Sequence, residues 1–191
     1  MKRRAVVFLV LLMGATLAGL VIFRGAGISA RRTPTALEAA VAKRAWRFLV
    51  PRDYSSRTNP VVASGETLRA GMEHWADHCA SCHGNDGSGD TQIGRNLHPR
   101  APDMRSVGTQ RLTDGELFYA IEEGIPFTGM PAWRNGTEAG TRASWELVQF
   151  IRHLPRLTED EKKEMEELNP RSPAQERRRR DIDDFLKGKG K

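Results

Sequence analysis

Cysteine is scarce in this chain: the 191 residues include two, Cys79 and Cys82, and both lie in one short stretch. A redox disulfide with this spacing belongs to a βαβ context, but no strand rich in alternating Val and Ile precedes Cys79. A zinc site would need further ligands at suitable spacing. His78 and His83 are the near candidates, they crowd the same stretch, and no second Cys-x-x-Cys pair occurs. The scarcity of cysteine therefore argues against disulfide and zinc chemistry.

Positive charge is also scarce in the segment that contains the cysteines. Residues 65–155 carry 8 Lys and Arg against 12 Asp and Glu, whereas residues 1–64 carry 11 against 2. A nucleic-acid-binding module would need its positive patch on the folded part of the chain. The charge distribution therefore predicts no nucleic-acid partner.

Several catalytic and ligand-binding signatures are missing. The loop Gly84–Asp90 is rich in Gly, Asn and Asp, which predicts a tight turn. It lacks the Lys-Ser/Thr of a phosphate-binding loop and the terminal Glu of a calcium-binding EF-hand. The sequence also contains no recognisable nucleophile–base pair and no pair of carboxylates suited to a cleft. We therefore predict no catalytic residues and a protein that is not an enzyme.

What the chain does contain is Cys79-Ala80-Ser81-Cys82-His83. Cys-x-x-Cys-His is the attachment signal for a covalent c-type haem. Each thiol can form a thioether to the porphyrin, and the imidazole that follows can bind the iron. The motif predicts one covalent haem c, with Cys79, Cys82 and His83 binding the cofactor and His83 binding the metal.

A helix is predicted to lead into this motif. Ser64 is a suitable N-cap, and an apolar stripe with helical spacing follows it. Gly71 lies on that stripe, where it would allow another helix to cross closely, and Trp75 lies one turn before Cys79. The stripe is made of Leu68, Gly71, Met72, Trp75 and Ala76.

Gly71 and Trp75 form a Gly-x-x-x-aromatic pattern that, together with Cys-x-x-Cys-His, resembles class I c-type cytochromes. More narrowly, the sequence is similar to bacterial membrane-anchored mono-haem cytochrome c domains of the cbb3 type. The resemblance spans about residues 64–155. It implies an all-α class I cytochrome c fold, with three to five helices around one covalent haem, and a last core helix over about Arg142–Leu154 that crosses the first. We expect Phe150 on that helix to pack near Gly71 and Trp75.

The resemblance also implies the remaining site residues. Pro102, with Pro99 as the alternative, would accept a hydrogen bond from the second ring nitrogen of His83. Met130, in the Gly-Met-Pro loop after the helix that Thr113 caps, would be the sixth iron ligand. The rival ligands are His98 in particular, and also Met104, Met72, His153 and His74. Ligation by His and Met would raise the reduction potential.

The N-terminus predicts a membrane segment. Residues 5–23 contain no charge, which is close to the roughly 20 apolar residues that span a bilayer. We expect residues 1–24 to be a cytoplasmic n-region and an anchor, with a cleaved signal peptide as the alternative; the small residues at 25–30 are mixed. The haem resemblance implies the bacterial inner membrane, with the haem domain on the periplasmic side.

Two charged segments flank the predicted haem domain. Residues 25–63 are expected to be a linker or strap, in which Thr35–Leu49 is either an amphipathic helix packed on the domain or a basic surface helix near lipid or a partner. Residues 156–191 are expected to be a charged, helical or disordered extension with a capping box at Thr158. Its linker at Ser172-Pro173 precedes an arginine run that could be solvated or could dock a partner.

With both axial positions filled, the iron would have no open site for a substrate. The sequence therefore predicts a one-electron carrier with a haem c in a membrane-associated respiratory chain, exchanging electrons with redox partner proteins. Two alternatives stay open: a haem-bearing subunit of a larger oxidoreductase complex, and a sensor or peroxidase that binds small ligands.

Overall fold

The structure is a computed structural model that describes residues 2–26, 29, 32–171 and 173–187. All regular structure in these residues is helical, which confirms the all-α prediction. The helices are α1 (Lys2–Ala26), α2 (Ala36–Leu49), α3 (Arg52–Ser55), α4 (Gly65–His74), α5 (Ala80–His83), α6 (Gln92–Asn96), α7 (Val107–Gln110), α8 (Asp114–Glu123), α9 (Glu138–His153), α10 (Glu159–Leu168) and α11 (Pro173–Leu186). A π-helical turn, Trp75–Cys79, and a 3₁₀ turn, Leu154–Arg156, complete the set.

The chain divides into two compact units, residues 1–32 and 33–191. The first unit contains α1, whose stretch Arg3–Val21 is long and apolar enough to cross a membrane. A signal sequence near an N-terminus would have the same length and composition. Residues 27, 28, 30 and 31, in the small-residue stretch where cleavage was considered, lie outside the described residues.

The core of the second unit is the crossing of α4 and α9. A Cβ on Gly71 would meet the backbone of Glu146 and lie 3.1 Å from Cβ of Phe150, so the two helices touch at this glycine. The ring centroids of Trp75 and Phe150 are 5.7 Å apart. The packing predicted for Phe150 is therefore confirmed. The buried apolar side chains of the two helices and of the π-helical turn after α4 are Met72, Trp75, Ala76, Trp145, Leu147, Val148, Phe150 and Ile151.

Helix α8 packs against this pair and is capped as predicted. The Thr113 side chain accepts a hydrogen bond from the Glu116 backbone, and the Glu116 carboxylate accepts one from the Thr113 backbone at 2.7 Å. Leu117, Phe118 and Ile121 are buried in the common core. The helix ends at Gly124, whose φ of 68° favours a residue without a Cβ.

Two helix boundaries differ from the predictions, and one agrees. Helix α9 begins at Glu138 instead of about Arg142, because Thr137 caps it through a bond to the Gly140 backbone. The capping box at Thr158 is present and opens α10. Pro173, expected in a linker, begins α11; residue 172 and the Lys-Gly tail at 188–191 lie outside the described residues.

Candidate functional site

The cysteine motif lies where α4 changes its winding. The π-helical turn Trp75–Cys79 follows α4 directly, and α5 then carries Ala80 to His83. Single π turns inside helices occur frequently at functional sites. Cys79, Cys82 and His83 are spaced i, i+3 and i+4, which places their side chains on the same side of the helical turn. Both thiols are free and partly exposed.

The thiol of Cys79 is held in its neutral form. Burial of its sulfur, together with the neighbouring Cys82, raises the pKa of Cys79 to about 12. The thiolate that a zinc site or a disulfide exchange would use is therefore disfavoured at this position. Among the described residues, no group of three or more His, Cys, Asp or Glu side chains could hold a metal ion.

His83 is held against the core by Trp75. The two ring centroids are 5.6 Å apart, and Nε1 of Trp75 donates a 3.0 Å hydrogen bond to the carbonyl of Gly84, the next residue after His83. Gly84 turns the chain with a φ of 77°. The indole thus fixes both the ring and the backbone of the histidine.

The second ring nitrogen of His83 points into the protein. Its Nδ1 is buried and makes no hydrogen bond of regular geometry among the described residues. Burial lowers the pKa of His83, and the nearby backbone carbonyl of Pro102 opposes this effect. A neutral imidazole with Nδ1 toward a carbonyl leaves Nε2 as the atom that can bind a metal. The pairing of Nδ1 with Pro102, with Pro99 as the alternative, stays a prediction; the Pro102 carbonyl lies near enough to influence the pKa of His83.

The loop after His83 is bonded back onto the motif. Oγ1 of Thr91 donates to the carbonyls of Ser81 and Cys82, at 2.9 and 3.1 Å, and accepts from the backbone of Gly94. The backbone N–H of Gly89 donates to the His83 carbonyl at 2.7 Å. Thr91 was not singled out from the sequence, although Thr-x-x-Gly is the pattern of a short capped turn. These bonds keep the motif's carbonyls satisfied and its turn rigid.

Met130 lies in a loop that closes on itself. Its carbonyl accepts from the backbone N–H of Ile125 at 3.1 Å, and its own N–H donates to Oγ1 of Thr128. Two bonds return the loop to α8: the N–H of Trp133 donates to Ile121, and that of Arg134 donates to Glu122. The methionine side chain is half-buried.

Two contacts bring the Met130 loop to the cysteine motif. The rings of His78 and Trp133 are stacked at 5.1 Å with 8° between their planes. A Cβ on Gly129 would lie 2.6 Å from the side chain of Leu97, which belongs to the loop after His83. The sequence did not predict the His78–Trp133 stack, because the partners lie far apart in the chain and share no motif.

The rival ligands are placed elsewhere or already engaged. Met72 is buried in the core. Met104 packs against the core, and the backbone N–H of Met104 donates to the carbonyl of Gly87. Nε2 of His153 pairs with Glu161 at 2.8 Å. The ring of His74 packs edge-on against His78, with a centroid distance of 5.0 Å. His98 is exposed.

These residues fit a haem c. The chain offers two free thiols in one helical turn, an imidazole with its buried nitrogen toward a carbonyl, and a thioether in a loop that contacts the same turn. Such a helical fold with such a site defines a class I c-type cytochrome domain.

The comparison with protein families agrees with this class. Residues 66–151 match the family model described as cytochrome C oxidase, cbb3-type, subunit III. This segment, somewhat less than half of the chain, is a cbb3-type class I c-type cytochrome domain. The family implies a haem c with iron and haem-based electron transfer.

Proposed function

We propose that Cys79 and Cys82 form thioethers to one haem c and that His83 binds its iron from the proximal side. When bound, the haem supplies one-electron oxidation and reduction at the iron. The chain's own residues hold the proximal ligand: Trp75 fixes the ring of His83, and the carbonyl of Pro102 would orient it through Nδ1. The observation that carries this proposal is the His83 imidazole, anchored one residue after Cys82 with Nδ1 buried.

Met130 is assigned as the sixth ligand. Its loop is bonded to α8 and stacked on His78, which brings the loop close to the segment that carries His83 and supports this assignment. A thioether stabilises reduced iron more than an imidazole does, which raises the reduction potential. With His83 and Met130 both bound, the iron has no open position, and the activity left is electron transfer without chemistry on a substrate.

The setting is a membrane-associated respiratory chain. The stretch Arg3–Val21 would anchor the chain in the bacterial inner membrane, and the haem domain would lie on the periplasmic side, where c-type haem is attached. Electrons would pass between redox partner proteins. No nucleic acid is involved, since the domain itself carries more acidic than basic residues.

The ligand assignment is tested by a matched pair of variants, Met130→Leu and Met104→Leu. Leucine keeps the volume but cannot bind iron, so M130L should lose the absorption features of His/Met ligation, lower the reduction potential and bind carbon monoxide rapidly. M104L, altered on the proximal side, should keep all three properties close to those of the parent protein. An unaltered spectrum and potential in M130L would exclude Met130 as a ligand.

The family description favours a second candidate function, a haem-bearing subunit of an oxidoreductase complex. In that case the domain would still transfer electrons, but to a fixed partner. Purification from native membranes under mild detergent tests this candidate: a stoichiometric complex supports it, and a free monomer that still exchanges electrons supports the mobile carrier. Rapid carbon monoxide binding by the unmodified protein would instead favour a ligand-binding sensor or peroxidase.

A further inference from the structure

Helix α2 has one side turned to the haem domain. The ring centroid of Trp46 lies 6.5 Å from that of Tyr119, and Nε of Arg47 lies 3.0 Å from the buried carboxylate of Glu116. Val50, which caps the helix, is buried with an exposed fraction of 4%. These contacts fix which side of α2 faces the domain.

The opposite side of α2 is an exposed apolar stripe. Leu37, Val41 and Phe48 have exposed fractions of 74%, 59% and 87%. Their spacing of 4 and 7 residues places them within about 40° of one another around a helix of 3.6 residues per turn, and roughly opposite Trp46. We call these three residues the outer stripe. An amphipathic helix normally turns its apolar side to its own domain, whereas α2 turns the outer stripe away from it.

One basic residue lies at the edge of the outer stripe. Arg44 is exposed and lies about 20° from Leu37 around the helix. The other two basic residues of α2, Lys43 and Arg47, lie toward the domain, where Arg47 pairs with Glu116. An apolar stripe with a long cationic side chain beside it is typical of helices that lie in a membrane interface, where the cation reaches the headgroups.

The outer stripe is also tethered close to the proposed anchor. Residues 27–35 separate α1 from α2, and a segment of that length spans about 30 Å when fully extended. Helix α2 therefore cannot move far from the bilayer that α1 would cross. A protein partner would need to cover about 800 Å² for a stable interface, far more than three side chains supply.

We propose that the outer stripe of α2 lies in the lipid interface of the same membrane, as a second contact that supports the haem domain. Leu37, Val41 and Phe48 would enter the region between headgroups and acyl chains, and Arg44 would pair with anionic headgroups. Trp46 and Arg47 would at the same time connect α2 to α8. The inference rests on the proposed membrane anchor.

The test uses the full chain with a photoreactive benzoylphenylalanine at one position, reconstituted in nanodiscs of phosphatidylethanolamine and phosphatidylglycerol. The probe replaces Val41 in the outer stripe, or the exposed Ala42 next to it, which points about 100° away around the helix. Both positions are exposed, so neither substitution disturbs the core. A lipid adduct, read by peptide mass, is expected at position 41 and should be several-fold weaker at position 42.

Two outcomes would overturn the lipid contact: equal adduct yields at both positions, or a protein adduct at 41, which would mark a partner or a second copy. A third probe at Leu12 reports on the anchor separately. If the probe at Leu12 forms no lipid adduct because the mature chain lacks α1, the two variants with probes at positions 41 and 42 are mixed with phosphatidylglycerol vesicles. A lipid adduct at 41 alone then still supports the outer stripe as a lipid contact, and its absence overturns it.

Discussion

The indole of Trp75 shows how one side chain can join a helical core to a ligand-bearing turn. One ring face packs near Phe150 in the core, and the ring also lies beside His83. Its N–H reaches across the turn to the Gly84 carbonyl. A hydrogen bond of this kind contributes about 1 kcal/mol of net stabilisation. Trp75 therefore contributes both apolar burial and a hydrogen bond.

We expect Trp75→Phe to lower the free energy of unfolding of the haem-loaded protein by about 1–3 kcal/mol, since it removes the bond to Gly84 and part of the buried ring. The matched control is Trp46→Phe, because Nε1 of Trp46 is buried without a hydrogen-bond partner among the described residues. Chemical unfolding followed by circular dichroism measures both. Equal losses in the two variants would show that the Trp75 bond contributes nothing.

At this scale the sequence was informative wherever a residue's role is set by its chain neighbours. The two cysteines and His83 were predicted from their spacing, and Trp75 from its place on the helical stripe and from the resemblance, because these signals lie within one or two helical turns. The stack of His78 on Trp133 was not found, because it depends on how the Met130 loop returns to the first helix. Thr91 was missed for a similar reason: its acceptors are carbonyls of the motif.

At the scale of elements, one glycine permits the central helix crossing. Gly71 lets α4 approach α9 until backbone and side-chain atoms touch. A methyl group there would meet the carbonyl oxygen and carbon of Glu146, which belong to a helix and cannot move aside cheaply. The predicted role of Gly71 as a crossing point is thus explained by sterics.

Gly71→Ala should lower the free energy of unfolding by about 1–3 kcal/mol, because the added methyl group forces the helices apart. Gly65→Ala is the control in the same helix. A Cβ at Gly65 would meet nothing within 4 Å, so this variant should be unchanged or slightly more stable, since alanine favours helix formation. Thermal unfolding of both variants gives the comparison. A Gly71→Ala protein as stable as the parent would mean that the crossing can relax.

The junction of α9 and α10 should make stability depend on pH. Burial alone would raise the pKa of Glu161, but hydrogen bonds from Thr158 and His153 outweigh this effect and lower it below its ordinary value of 4.5. A carboxyl group whose pKa is lowered in the folded state contributes its full stabilisation of the fold at any pH above its pKa in the unfolded chain. This stabilisation is lost as the pH falls through the pKa of the group in the folded state.

Glu161→Ala should therefore lower the free energy of unfolding by about 1 kcal/mol at neutral pH, the usual contribution of a helix cap. The loss should be smaller at a pH well below 4.5. Denaturant titrations of variant and parent at both pH values measure the difference. Glu166→Ala, on the exposed side of the same helix, should show a small effect that does not change with pH. A loss at Glu161 that stayed constant down to acidic pH would contradict the ionic origin of the stabilisation.

Helix caps were more predictable than helix lengths. The caps at Ser64, Thr113 and Thr158 were read correctly, because a capping hydrogen bond joins residues three apart. The start of α9 was placed too late because Thr137 follows a Gly136 turn that looked like a loop. The π-helical turn at Trp75–Cys79 was not foreseen, since it shifts hydrogen bonds by one residue without changing the residue pattern.

At the scale of the whole molecule, charge and hydropathy are divided along the chain. The first 64 residues hold most of the excess positive charge, and they contain the apolar stretch Arg3–Val21. The cytochrome domain that follows is mildly acidic. Basic residues flank the uncharged residues 5–23 on both sides, with Lys2, Arg3 and Arg4 before them and Arg24 after them, so loop charge alone does not define the orientation. The proposed orientation therefore comes from the haem motif, since a c-type haem would be attached outside the cytoplasm.

We predict that the haem domain of the membrane-bound chain is accessible from the periplasm. Protease added to intact spheroplasts should remove the haem-stained band. It should leave a membrane fragment that contains α1, whose N-terminus we expect on the cytoplasmic side. The purified protein should retain α1 and carry one haem. A cytoplasmic marker protein, digested only after detergent lysis, controls for leakage. Protection of the haem domain in intact spheroplasts would show the opposite orientation. A soluble haem protein that lacks the first 24 or more residues would show that this segment is a cleaved signal and not an anchor.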